Sequence, residues 1–231
     1  MMDQDVSVSI VVPAYNEATS LPRLVKRIMS LEKKVSLREV IIVDDGSTDD
    51  TVVIIKGLNL PLVRLITHQK RCGQTAALRT GVTQAGSPII VTIDADLQNH
   101  PEDIPLILTA LDTADLVTGV RSGRQDPLHK IIPSRIANKL LSLLFAVAFQ
   151  DSGCGLRAMR REVFERMPLK GNIHRLFPFY VQVAGFKVKE VAIQHSPRLS
   201  GKSKYGLERV LILFIDGIYL TLFSLVQRRS H

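Results

Sequence analysis

The sequence predicts an α/β fold built on a mostly parallel sheet with helices on both faces, and three observations carry that prediction. Apolar, β-branched runs alternate with helix-spaced segments through the first hundred residues. The runs are continuously apolar, which suits strands covered on both sides. Polar clusters follow three of the runs directly, and sheets of this kind bind their ligands beyond the carboxyl ends of the strands.

The elements follow in order. Residues 6–12 form a short β-branched run ended by Pro13, a buried-strand signature. Residues 19–31 show helical spacing through Leu21, Leu24, Val25, Ile28 and Leu31, with Thr19 or Ser20 as N-cap and Pro22 in the first turn. Residues 40–43 are the next strand, and Ser47 or Thr48 is expected to cap a helix running towards Lys56. Residues 62–67 give a strand, 73–84 a helix and 89–93 a strand. The second half is less regular. Residues 133–149 read as a helix apolar almost all round at its C-terminal end, 187–195 as a strand and 207–227 as a very apolar helix.

With 231 residues and 45% apolar content, the chain suits one large domain and not disorder. Cys72 and Cys154 are too few and too scattered for a disulfide framework, so two reduced thiols are expected. No basic and apolar leader opens the chain, and its working part is expected to face the cytosol. The net charge of +8 conceals an asymmetry: residues 1–120 balance to −4 and residues 121–231 to +12. The acidic half suits metal ligation. The basic half suits phosphate groups on a substrate or a membrane surface, and nucleic acid is not an expected partner.

Asp94 and Asp96 are two carboxylates one residue apart at the end of a buried strand. They can reach one hard cation, Mg²⁺ or Mn²⁺, completed by substrate phosphates and water. Asp-x-Asp also occurs as a solvated loop or helix cap, so the pair alone does not decide. Asp44-Asp45 is a second acidic pair after another strand of the same sheet. Such a concentration of charge requires a cation or many hydrogen-bond donors among it. None of the six histidines stands at metal-ligand spacing from another, which points to surface or core roles.

Four segments stand in order: Pro13-Ala14-Tyr15-Asn16-Glu17, Asp44-Asp45-Gly46-Ser47-Thr48-Asp49, Gly73-Gln74-Thr75-Ala76-Ala77-Leu78 and Asp94-Ala95-Asp96-Leu97-Gln98. In order and spacing they resemble family 2 glycosyltransferases, and more narrowly the polyprenyl-phosphate glycosyltransferases of the dolichol-phosphate mannosyltransferase type. The resemblance implies a Rossmann-like GT-A domain over residues 1–206 and inverting, metal-dependent transfer from a UDP- or GDP-sugar to a polyprenyl phosphate. It implies donor recognition by Pro13, Tyr15, Asn16, Glu17, Asp44, Gly73 and Asp94. Metal ligation falls to Asp96 with Asp94 and Gln98. His100 departs from the proline usual in the family, beyond the ligands.

Residues 151–157 resemble the family's stretch beside the acceptor, with Asp151 as a candidate positioning group. Arg198-Leu199-Ser200-Gly201-Lys202-Ser203-Lys204-Tyr205 resembles the loop that closes over the donor diphosphate, through Arg198, Lys202 and Lys204. The Gly-Lys-Ser within it is not a phosphate-binding P-loop, because Ser196 stands where that motif needs glycine. An arginine-bearing stretch implied to hold the lipid phosphate carries over to Arg121, Ser134 and Arg135; a solvated basic face is the alternative for each.

Residues 210–226 are interrupted by Asp216 and Gly217. Their apolar side chains contribute on the order of −4 to −7 kcal/mol to insertion, and a central Asp costs roughly 3. The segment 207–231 is therefore expected to lie in the membrane interface at the cytoplasmic face, peripheral or monotopic, or to pack on the protein. Other readings remain: transfer to a different glycan or lipid acceptor, or a non-catalytic nucleotide-sugar-binding subunit.

Overall fold

The computed structural model describes residues 6–122, 149–167, 174 and 176–196. The elements are β1 (Val8–Ala14), α1 (Leu21–Met29), β2 (Leu37–Asp44), α2 (Thr51–Gly57), β3 (Val63–Thr67), α3 (Gln74–Gln84), β4 (Ile89–Thr92), α4 (Ile104–Ala110), β5 (Leu116–Arg121), β6 (Arg157–Arg160), α5 (Arg161–Arg166), α6 (Phe177–Val183) and β7 (Val188–Ile193). A short 3₁₀ turn, Pro101–Asp103, leads into α4.

Seven strands form one sheet in the order β3-β2-β1-β4-β6-β5-β7. β1 runs parallel to both β2 and β4, β2 is parallel to β3, and β5 is parallel to β7. β6 runs antiparallel to β4 and β5, so the sheet is mixed. From β1 the chain builds outward through β2 and β3, then returns to lay β4 on β1's other side. That reversal creates a switch point beyond the carboxyl ends of β1 and β4, where open α/β sheets bind ligands.

The continuous apolar runs are explained by two cores, one on each face. Ile10, Val12, Val40, Ile42 and Val91 pack with Leu21, Leu24, Val25 and Ile28 of α1 and Ile104 and Ile107 of α4. Val11, Ile41, Val43 and Ile90, on the opposite pleat, pack with Ala77, Leu78 and Val82 of α3 and Phe177, Tyr180 and Val181 of α6. Within α3, Gly81 lies so close to β1 that a Cβ there would sit 2.4 Å from Val11 Cγ1. A bare backbone lets the helix settle on the strand.

Several expectations shift. β1 continues through Pro13 to Ala14, because the ladder with β4 ends at Val11↔Thr92 and only β2 accompanies it further. Ser20 precedes α1, with Pro22 in its first turn. The residue before α2 is Asp50, not Ser47 or Thr48, whose hydroxyls bond to Asn16 instead. The expected helices at 133–149 and 207–227 lie outside the described residues, Phe149 apart; Phe149 is buried and packs edge-on against Phe179, 4.8 Å between centroids. Among the described residues no helix is long and apolar enough to cross a membrane. Both cysteines are free thiols, Cys72 exposed and Cys154 buried.

Candidate active site

The three polar segments that follow β1, β2 and β4 meet at the switch point. They line a cavity of about 130 Å³ together with the start of α3: Pro13, Tyr15 and Glu17, then Asp45, then Arg71, Gly73 and Gln74, then Asp94 and Asp96. The volume is below the roughly 300–1,000 Å³ of a ligand pocket, so a nucleotide-sized ligand would also fill the open mouth.

Each turn is held by its neighbour. Asn16 adopts a left-handed conformation (φ 54°), which a short amide side chain tolerates. Its N–H donates to Ser47 Oγ at 2.8 Å, its Nδ2 to Thr48 Oγ1 at 3.2 Å, and its Oδ1 accepts the Thr48 N–H at 2.8 Å. The Glu17 N–H donates to Thr51 Oγ1 at 2.9 Å, and Glu17 Oε2 accepts Ser20 Oγ. Asp49 ties in from the other side by accepting the N–H groups of Ala18 and Thr51. Burial alone would raise the Asp49 carboxyl; the donors around it outweigh that and hold it below its usual range. Gly46 (φ +74°) allows the segment 70–71 to cross within 2.8 Å of where a Cβ would sit. Arg71 in turn covers the Tyr15 ring, 4.4 Å from guanidinium carbon to centroid.

The two acidic side chains after β2 do different things. Asp44, the last residue of β2, is buried: Oδ2 accepts the Ser47 N–H at 3.1 Å, and Oδ1 has no protein partner among the described residues. Asp45 is the one that lines the cavity. Its Oδ1 accepts the Cys72 N–H at 2.8 Å and faces His68 Nδ1 at 2.9 Å, and its Oδ2 accepts the Gly73 N–H at 2.7 Å. Asp44, expected among the donor-binding residues, is not on the cavity wall; Asp45, Arg71 and Gln74, which are, stand outside that expected set.

Asp94 and Asp96 line the cavity side by side. Gln74 Nε2 donates to Asp94 Oδ1 at 2.7 Å. On its other flank Asp94 lies against Gly155, where a Cβ would be 2.1 Å from Oδ2. The Asp96 carboxylate accepts the Gln98 N–H at 3.2 Å, and Leu97 between them is left-handed (φ 62°) although buried, a local strain of the kind that collects at functional sites. Gln98 is not among the cavity walls; its amide reaches Ser196 O at 3.5 Å. His100 joins the same contact, with Nε2 2.7 Å from Ser196 Oγ, and Asn99 bridges to His195. Two carboxylates at one cavity form an all-oxygen donor set that fits Mg²⁺ or Mn²⁺.

The acidic rim is balanced from below. Arg157 of β6 is buried, with Nη1 donating to His174 O at 2.6 Å and Nη2 to Ser152 O at 2.8 Å. Burial pushes the Arg157 pKa down, while the charges of Cys154, Asp94 and Asp151 oppose that shift. His174 Nδ1 meets Thr75 Oγ1 at 2.8 Å, joining this layer to the first turn of α3. The repulsion expected among the carboxylates is thus met by backbone N–H groups, an amide and a buried guanidinium.

Asp151 and Arg121 come together as a pair: Nε to Oδ2 at 2.6 Å and Nη2 to Oδ1 at 2.7 Å, a two-pronged geometry. Glu190 holds the chain there by accepting the Gln150 and Asp151 N–H groups. Both expected roles, phosphate contact for Arg121 and positioning for Asp151, therefore involve one ion pair. Ser134, Arg135, Arg198, Lys202 and Lys204 lie outside the described residues.

Comparison with known proteins adds a family. Residues 9–167 match the model of glycosyl transferase family 2. A dodecaprenyl-phosphate galacturonate synthase of Rhizobium johnstonii is 37% identical over 98% of this chain and 70% of its own length. Undecaprenyl-phosphate 4-deoxy-4-formamido-L-arabinose transferases of Pseudomonas savastanoi and Yersinia pestis are 38% and 36% identical over 90% of the chain, and 64% and 65% of their own lengths. The chain thus spans about two thirds of the length of these relatives. The fold is shared with glucosyl-3-phosphoglycerate synthase of Mycobacterium tuberculosis. Its complex with Mn²⁺ and UDP-glucose has a TM-score of 0.71 at 20% identity, covering 95% of this chain and 79% of that one.

Proposed function

Because the chain belongs to glycosyl transferase family 2, we propose that it transfers a sugar, with inversion, from a UDP- or GDP-sugar to a polyprenyl phosphate. The observation that carries this reading is the meeting of the Pro13–Glu17 turn, Asp45 and the Asp94/Asp96 pair in one cleft at the sheet's switch point. The curated relatives, named for polyprenyl-phosphate substrates, support the choice of acceptor.

Residues of the cleft have distinct tasks in this scheme. The stacked Tyr15 and Arg71, both on the cavity wall, suit a nucleoside. Asp94 and Asp96 would hold Mg²⁺ or Mn²⁺, which when bound neutralises charge on the diphosphate leaving group. Gln74 keeps the Asp94 carboxylate turned to the cleft. Arg198, Lys202 and Lys204 bring cations to the same diphosphate.

The acceptor needs little activation. A phosphate monoester has a second pKa near 6 and is mostly ionised at neutral pH, so its oxygen can attack without a strong general base. Arg121, Ser134 and Arg135 contact that phosphate, and Asp151 orients Arg121. The +12 balance of residues 121–231 suits an anionic surface. The scheme assigns segment 207–231 to the membrane interface on the cytoplasmic side. A screen of UDP- and GDP-sugars tests the scheme, measuring label carried into solvent-extractable lipid with polyprenyl phosphate as acceptor. Incorporation that needs Mn²⁺ or Mg²⁺ supports it. Transfer to a soluble glycan alone, or none from any donor, refutes it.

A further inference from the structure

At the wall of the donor cleft, where Asp45 stands, three unlike side chains gather, two of them off the cavity lining. Asp45 follows β2, His68 follows β3, and Cys72 lies just ahead of α3. A carboxylate oxygen, an imidazole nitrogen and the thiol sulfur all lie within 4.8 Å of one another. We propose that they form a second metal site, separate from Asp94 and Asp96 and suited to Zn²⁺ or a similar borderline ion.

The donor set makes the choice of metal. Thiolate and imidazole favour Zn²⁺ over Mg²⁺ and Mn²⁺, which take oxygen. The ligands are also oriented in advance. Asp45 is fixed by the Cys72 and Gly73 N–H groups. His68 presents Nδ1 to Asp45, and its other nitrogen, Nε2, lies 3.0 Å from Thr80 Oγ1. Without a metal the Asp45 carboxylate can only accept, so Nδ1 carries the proton and Nε2 accepts from the Thr80 hydroxyl. Once a metal takes Nδ1 the same hydroxyl can turn to accept from Nε2–H, the outer contact that metal-bound histidines use. Cys72 is exposed, which gives an ion its way in, and its sulfur now rests on Lys70 O at 3.2 Å. On binding, the metal takes the place of the proton between His68 and Asp45. The ring proton moves to Nε2, the Cys72 thiol releases its proton to solvent, and water fills the fourth position.

The test needs no sugar transfer, so its outcome is independent of the proposed activity. The full chain, stripped with chelator and saturated with Mg²⁺, is titrated with Co²⁺. Wild type should develop a near-ultraviolet thiolate-to-cobalt band at one Co²⁺ per chain, erased by Zn²⁺. Cys72→Ser, which alters an exposed residue and should keep the native circular dichroism, should lose the band. Thr80→Val should keep it but weaken Zn²⁺ binding about 10- to 100-fold. No band in wild type, or an undiminished band in Cys72→Ser, overturns the proposal.

Discussion

Gly155→Ala is a one-carbon change aimed at the Asp94/Asp96 pair proposed to hold the metal. The added Cβ would sit 2.1 Å from Asp94 Oδ2 and 2.3 Å from its Cγ, where ordinary contact begins near 3.4 Å. The carboxylate must therefore retreat by more than 1 Å. The backbone can yield little, because Thr92 Oγ1 holds the Gly155 carbonyl at 3.0 Å. Overpacking of this kind costs about 1–3 kcal/mol of stability, and losing the Gln74–Asp94 hydrogen bond about 1.5–3 more. A shift near 1 Å at a catalytic centre costs on the order of 10²-fold in rate. Gly155→Ala should thus cut turnover about 100-fold and raise the Mn²⁺ concentration for half-maximal rate. Its melting temperature should fall by several degrees. Gly153→Ala is the control, since its Cβ would meet only ordinary contacts, 3.7 Å from Arg121 Nη2 and 3.9 Å from Asp151 Oδ1. Steady-state kinetics across a Mn²⁺ series measures both. A folded Gly155→Ala with wild-type metal dependence, or a Gly153→Ala equally impaired, would refute the reasoning.

The remaining predictions concern the metal, the packing and the buried thiol. Asp96→Asn should lower sugar transfer roughly 100-fold or more, if the ion it is proposed to help hold contributes several kcal/mol of charge stabilisation; metal titration of the rate reads this. Gly81→Ala gains about 1 kcal/mol of helix propensity. Its Cβ would stand 2.4 Å from Val11 Cγ1, so urea denaturation should show a net loss, largely recovered by Val11→Ala. Burial first, and the Asp151 charge second, push the Cys154 thiol up to about 12 from 9.0. Its protonated form therefore favours the fold: the contribution is complete below pH 9.0 and is lost as pH rises towards 12, which thermal melts across that range detect. For the same reason iodoacetamide at pH 8 should alkylate exposed Cys72 and spare Cys154, one adduct per native chain by mass spectrometry.

Much of this architecture could be read directly from the residues. β1 to β4 and α1 to α3 lie within a few residues of their expected places. Their apolar runs carry the signal, and Pro22 and Gly73 mark helix starts. β5 and β6 escaped. Arg157–Arg160 is four residues long, with arginine at both ends, and resembles a strand only once β4 and β5 flank it. Its antiparallel direction has no local cause; it follows from where the chain re-enters the sheet. The short helices α4 to α6 carried too few turns for a periodic signal.

At the site, the motifs named the right loops, and tertiary contact chose among their side chains. Asp44 and Asp45 are chemically identical neighbours, yet β2 ends between them: one is locked into the last rung of the sheet, the other turns to the cleft wall. Spacing between histidines revealed nothing about His68, because its partners Asp45 and Cys72 arrive from other connections. Arg121 and Asp151 are thirty residues apart in the chain, and their pairing likewise depends on folding. The sequence by itself determined the layered α/β plan and the sheet edge that carries the chemistry, because periodicity and turn chemistry are local properties. Only the tertiary structure decided which carboxylate faces the cleft, what braces it and what lies beneath, because those depend on distances between segments far apart along the chain.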